Sequence, residues 1–310
     1  MRSSRKPRPR RPARQTPPPA PICHPVPMHL GEVGIWTSYR AIGEENAGEA
    51  AKLVEDLGYG ALWLGGSPRL PTLRPLLAAT GTLIVATGIV NVWQYEPATL
   101  AAEYAELAGE FPDRLLVGIG VGHPEATSDY SRPLSAMRAF LDGLDGADSP
   151  LPREKRALAA LRPRMLELAK ERAIGAHPYF VPVEHTRAAR ERLGPSALLA
   201  PELACVVDGS QAQVSADHAR ATARTFAATY LGLRNYTSNL LDFGFTGQDI
   251  ADGGSDRLID ALVPQGSAET IVASARTHLD AGANHVCLQT VGVEGIPREE
   301  WTALASVLFG

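Results

Sequence analysis

The feature that most limits what this chain can fold into is an alternation. Short apolar runs that read as strands recur along it, and nearly every one is followed by a stretch with helical spacing. Segments 31–36, 61–66, 83–93 and 114–122 read as the first four strands. Residues 157–161 read either as a fifth strand or as part of a helix. Segments 176–181, 198–207 and 285–291 read as the sixth to eighth. Between the first two strands, Ala47, Ala50, Ala51, Val54 and Leu57 keep helical spacing, and Gly58 follows as a stop signal. Pro97 opens a helix over 97–111, a position where its missing N–H costs nothing. Further helices are expected at 73–80, 132–145, 163–173, 184–194, 267–282 and 298–309. Strands separated by helices pair in parallel through right-handed crossovers. A doubly wound sheet and a (β/α)8 TIM barrel both satisfy this, and eight units in a chain of 310 residues favour the α/β barrel. The helical block at about 208–265 is too long for a simple connection. It reads as an insertion before the last βα unit of a single domain spanning 29–310.

The N-terminus is of another kind. Nine of the 25 prolines and seven of the 30 basic residues precede Met28, with no acidic residue among them. Such a stretch cannot be helical and is expected to be a disordered basic tail over 1–28. A flexible tail, a targeting segment and a sequence upstream of a true start at Met28 are the open readings. The rest of the chain is markedly acidic, which suits a cytoplasmic enzyme and argues against a nucleic-acid binder. No apolar run reaches the roughly 18 residues a membrane span needs, and the tail lacks the apolar core of a secretory signal. Of the three cysteines, none shows metal-ligand spacing, so no metal site is expected. Cys205 and Cys287 lie in apolar runs and read as buried, reduced core residues.

The stretch RLLVGIGVGHPE, Arg114 to Glu125, first suggests a phosphate cradle. The dinucleotide fingerprint, however, needs G-x-G-x-x-G opening a helix. Gly118, Gly120 and Gly122 are spaced G-x-G-x-G at the end of the fourth strand, and Pro124 follows. In a barrel the C-terminal strand ends carry the site. Glycines there let a flat ring approach the backbone. Gly65 and Gly66 end strand two; Gly88, Ile89 and Asn91 end strand three; Gly175, Ala176 and His177 enter strand six. Zinc-protease, P-loop and α/β-hydrolase signatures are all missing.

At these residues the chain resembles the luciferase-like monooxygenase superfamily, in its actinobacterial branch of deazaflavin (coenzyme F420)-dependent oxidoreductases. The matching elements are VGIWTS, LGYGALWL, VATGIVNVW, FPDRLLVGIGVGH and LAALRPRMLELAKERAIGAHPYFVPVEHT, in order over roughly residues 31 to 207. The resemblance implies a ring bound at the C-terminal mouth, backed by a bulge at the end of strand three with a cis peptide at Gly88–Ile89. It places Gly120, Val121, Gly122 and His123 beside the ring. It puts Gly175, Ala176 and His177 by the ribityl chain or phosphate, with a helix start at Glu184 as an anion site. It also implies a homodimer. Several relatives carry a histidine just after strand two; here Ser67 stands there. The acid–base role therefore passes to His123 or falls on Ser67. Trp36 and Trp93 are candidate walls of a substrate pocket, and Glu125 and Asp129 are secondary acid–base candidates. His185, His218, His278 and His285 read as structural or surface residues.

The expected function is hydride transfer between F420 and a small organic substrate. FMN on the same fold, giving a monooxygenase, is the first alternative. A barrel that binds such a cofactor without turnover is the second.

Overall fold

A computed structural model describes residues 28–123, 125, 130–208 and 215–310. The expected basic tail, Cys23, Pro124 and Asp129 lie outside these residues. The strands are β1 (Val33–Ser38), β2 (Ala61–Gly65), β3 (Ile84–Thr87), β4 (Val90–Asn91), β5 (Leu115–Gly120) and β6 (Arg156–Leu158). They continue with β7 (Gly175–Ala176), β8 (Leu198–Leu199), β9 (Glu202–Val207), β10 (Gln265–Gly266) and β11 (Val286–Thr290). The helices are α1 (Tyr39–Ile42), α2 (Ala47–Asp56), α3 (Arg74–Ala78), α4 (Pro97–Glu110), α5 (Pro133–Asp145), α6 (Pro163–Arg172) and α7 (Val183–Leu193). After β9 come α8 (Ala216–Leu231), α9 (Arg234–Asp242), α10 (Gly247–Ile250) and α11 (Asp256–Leu262), then α12 (Ala268–Asp280) and α13 (Arg298–Phe309).

All strand pairs are parallel, in the order β10-β9-β11-β1-β2-β3-β5-β6-β7-β8. Two staves of the barrel are each made of two strands. One is β8 with β9, joined through Ala200 and Pro201. Proline has no N–H to give a ladder, so the strand breaks there. The Ala200 amide still donates to Ala176 O on one side, and the Cys287 amide donates to Pro201 O on the other, both at 2.9 Å. The sheet thereby closes into the expected (β/α)8 barrel.

The other double stave is β3 with β4. Ala86 pairs with Leu116, but Val90 pairs with Ile119. Four residues on one strand oppose three on its partner, which is a bulge. The Gly88–Ile89 peptide within it is cis, as the resemblance implies. Gly118 makes room: a Cβ there would collide with Thr87 O.

Inside the barrel, small residues such as Ala61, Ala86, Ala157 and Ala200 pack around Trp63 and Leu116. Between strands and helices lies a larger aliphatic layer. His285 seals the N-terminal end, with Nδ1 donating to Gly31 O at 2.7 Å and Nε2 accepting from Trp63 Nε1 at 3.1 Å. Cys205 and Cys287 are free and buried.

Several boundaries differ from the sequence expectations. The sixth strand is only Gly175–Ala176 and ends at His177; it does not begin there. Pro178 cannot continue the ladder, and Phe180 turns the chain with φ of 54°. The ambiguous run at 157–161 resolves as the strand Arg156–Leu158. Within the 208–265 block the described residues form the helices α8 to α11, and the block also sends β10 back to pair with the end of β9. His278, read as a surface residue, is buried, because Thr186 on α7 meets its Nδ1 at 2.8 Å. Among the described residues no helix is long and apolar enough to cross a membrane.

Candidate active site

The strand ends and the insertion enclose a cavity of about 400 Å³ at the C-terminal mouth. That is the size range of small-molecule sites. Its floor is Trp36, Gly88, Ile89 and His177; Gly66, Val121, Gly122 and His123 form one wall. Eight of the sequence candidates therefore converge. Among the described residues, Arg162 and Arg164 are its only cationic lining apart from the histidines, and no carboxylate lines it.

The floor is set by glycines. Trp36 ends up 8% exposed, because Gly65 and Gly88 leave room for its indole; a Cβ on either would collide with it. Gly66, with φ of 86°, has nothing within 4 Å of its missing side chain. Beside the indole, the His177 ring stacks on Trp63 with centroids 4.2 Å apart. Its Nδ1 lies 2.7 Å from Ala200 O. A carbonyl only accepts, so Nδ1 carries the proton and Nε2 presents a lone pair. Burial pushes this histidine down to about 4, so it is neutral. His177 Nε2 and Trp36 Nε1 are both buried without a partner among the described residues.

His123 is held from across the cavity. Asn235 Oδ1 lies 3.2 Å from its Nδ1, and the Tyr236 ring is 5.1 Å from its own. The amide oxygen fixes the proton on Nδ1 and leaves Nε2 free to accept. Burial lowers this histidine below its ordinary value, against the opposing pull of Asn235 and Glu125. Glu125 itself is exposed and accepts from the Arg234 amide at 3.2 Å, tying the loop to the start of α9.

The other candidates stand behind the lining. The Ser67 hydroxyl accepts from the Asn91 amide at 3.0 Å, and Asn91 Oδ1 accepts from the Trp93 amide. Trp93 Nε1 donates to Val121 O at 2.8 Å and props that wall. Gly120 is covered by Ile89, and Gly175 is pressed against the Leu198 backbone. Gly65, Gly175 and Ala176 shape the barrel beneath the cavity without lining it. His185, in the first turn of α7, is buried and meets Leu161 O at 2.8 Å through Nε2. The α7 start at Glu184 does not open on the cavity.

Sequence reading missed three groups. The first is the start of α6, where no side chain caps the helix and Arg164 has no ion pair or side-chain hydrogen bond among the described residues; Arg162 pairs with Asp242 at 2.7 Å. The second is the insertion's contribution, Tyr230, Asn235 and Tyr236, with Tyr179 opposite. Tyr179 donates to Gln289 Oε1 at 2.6 Å and receives from Tyr230 at 2.8 Å. The third is Glu202, 1% exposed, whose Oε2 accepts from the Phe180 amide while Oε1 has no partner among the described residues. Burial pushes this carboxyl up to about 8. Only the aromatic and amide residues of LRNYTSN hinted at any of these.

The barrel that carries this cavity has counterparts among known proteins. Residues 28–285 match the family described as luciferase-like monooxygenase. The chain belongs to that family. Among solved structures, a luciferase-like fold is shared with an F420-dependent secondary alcohol dehydrogenase in complex with an F420–acetone adduct. That match has a TM-score of 0.65 and 16% identity, over 84% of this chain and 93% of the other. The coenzyme F420-dependent tetrahydromethanopterin reductase from Methanopyrus kandleri matches with TM-score 0.65 and 17% identity, over 88% and 96%. The FMN-bound oxygenating constituent of 3,6-diketocamphane monooxygenase from Pseudomonas putida matches with TM-score 0.63 and 14% identity, over 89% and 96%. At such identities these likenesses bear on the fold alone.

Proposed function

We propose that this luciferase-like protein is an oxidoreductase that binds coenzyme F420 in the mouth cavity and catalyses hydride transfer to or from a small organic substrate. The observation that carries this reading is the cavity itself. It combines a glycine-edged slot, an aromatic floor with unpartnered polar atoms, and an uncapped helix start flanked by two arginines. A flat heterocycle with an anionic arm fits that set. The slot admits the ring, and Arg162, Arg164 and the first turn of α6 suit the phosphate. This moves the anion end from the Gly175–His177 segment and the helix start at Glu184, as first expected, to the start of α6. F420 supplies a carbon hydride acceptor and donor; the protein supplies position, exclusion of water and proton management.

His123 is the group for the proton. Neutral at physiological pH and fixed by Asn235, it presents Nε2 to the cavity as a base. With an alcohol as substrate, the bound cofactor would supply the hydride acceptor and His123 Nε2 would take the hydroxyl proton; with a carbonyl, the protonated His123 would give that proton back. Ser67, with its oxygen engaged by Asn91, is left to hold the bulge. FMN is the second reading, supported by the similar barrel that carries it.

Cofactor binding tests this. The full chain is titrated with F420 and, separately, FMN, following cofactor fluorescence. Tighter binding of F420 supports the hydride-transfer reading. Tighter binding of FMN redirects the chemistry to oxygen. Binding of neither overturns both. Tight binding with no turnover over a broad substrate panel supports the non-catalytic alternative.

A further inference from the structure

Two polar atoms in the cavity floor have no partner among the described residues, and they are of opposite kinds. Trp36 Nε1 is a donor only, and His177 Nε2 is an acceptor only, because its other nitrogen gives its proton to Ala200 O. Leaving such buried atoms unpaired costs about 1–3 kcal/mol each. Both crowd the same point, the place a Cβ would take on Gly88, with His177 Nε2 3.1 Å from it and the indole nitrogen closer still. Both side chains are held fast. Trp36 lies against Gly65 and Tyr179, and His177 is stacked on Trp63.

A neighbouring donor and acceptor are complementary to a ligand edge with a carbonyl beside an N–H. A carboxylate is a poor match, since it offers nothing to donate and would face the histidine lone pair. A hydroxyl serves both atoms through its single oxygen, whereas an imide edge serves them through two adjacent atoms held in the plane of a ring. We propose that Trp36 and His177 read the imide edge of a pyrimidinedione ring, the ring carbonyl accepting from Trp36 Nε1 and the ring N–H donating to His177 Nε2. This rests on the flavin-or-deazaflavin reading above and adds which edge of the ring enters the barrel first. The imide end points to the floor, and the reactive centre of the tricycle stands higher, toward His123 and the substrate. His177 is then a binding residue of the cofactor and takes no part in proton transfer.

The probe is methylation of that N–H. Full-length protein is titrated by fluorescence with F420, FMN and the N3-methyl derivative of each. Methylation removes the donor and adds bulk against His177, so a loss of affinity of at least ~10-fold is expected, the worth of one such hydrogen bond. The His177→Phe variant is expected to bind the parent more weakly and to lose the distinction between parent and methylated ligand. Trp36→Phe is expected to weaken the parent and the methylated ligand together. Equal binding of parent and methylated ligand by the unaltered protein overturns the proposal while leaving the cofactor reading intact. So does a methylation penalty that persists in His177→Phe. Failure of both parents to bind overturns the cofactor reading and this inference with it. The comparison on the unaltered protein stands even if a variant fails to fold.

Discussion

His123 is positioned by a contact that spans the sequence. Its partner Asn235 lies 112 positions away, so the histidine could be picked from its strand end while the group that orients it could not. If His123 is the base, His123→Ala should lower kcat by about 10²–10⁴-fold while the cofactor Kd changes little. A variant with unchanged kcat, measured at saturating cofactor, would remove it from the mechanism. Because burial holds this histidine below its ordinary value, the acid limb of kcat/KM should fall below pH 6.5, the base being lost as it protonates. A second residue-scale contrast concerns adjacent glycines. Gly65→Ala drives a Cβ into the Trp36 indole and should cost about 1–3 kcal/mol as overpacking. Gly66→Ala meets nothing and bears only its left-handed φ of 86°, about 1–2 kcal/mol. Urea midpoints of the two variants separate these effects: equal losses would show that the indole yields.

At the scale of elements, the start of α6 is where charge meets the cavity. Among the described residues no side chain caps it, and Arg164 makes no ion pair there. Arg164→Ala should weaken FMN by roughly tenfold, the worth of one charge-assisted contact, and leave riboflavin unchanged. A loss shared equally by both ligands would place Arg164 against the ring instead of the phosphate. Elements whose pattern is local were legible in the sequence: the strand ends at Gly65–Gly66 and Gly88, and the helices opened by Pro97 and Pro163. Elements whose shape depends on partners were not. The two-residue β7 looked longer because Tyr179, Phe180 and Val181 are strand-like residues; Tyr179 and Phe180 instead pack against the insertion at Tyr230 and Tyr236. The same aromatic cluster makes α8 and α9 a roof over the cavity, a role that composition alone does not reveal.

For the whole molecule, buried titratable groups set the response to pH. His177, His185, His278 and His285 are each pushed down to about 4, chiefly by burial. In the unfolded chain they protonate near 6.5, so their neutral burial contributes fully above that pH. The contribution is lost as pH falls from 6.5 toward 4, at up to about 1.4 kcal/mol per unit for each group. The urea midpoint should therefore drop steeply between pH 7 and pH 5. Glu202 acts with the opposite sign. Its folded value near 8 exceeds the ordinary 4.5, so stability is lost as pH rises through that window. Glu202→Gln should then raise the midpoint more at pH 8 than at pH 5; an equal shift at both would mean the carboxyl is already ionised in the fold.

The barrel was legible in its eight units, but the division of the closing stave was not: the run 198–207 read as one strand, and Pro201 splits it between two neighbours. It leaves a narrow seam: β7 meets β8 over two residue pairs, Gly175 with Leu198 and Ala176 with Leu199, whereas β1 meets β2 over four. His177 stands at the end of that seam and at the floor of the cavity. A ligand gripping His177 would act as a staple. In the free protein the Leu198 and Ala200 amides should exchange with solvent deuterium before those of β1 and β2, and occupancy of the cavity should slow them first.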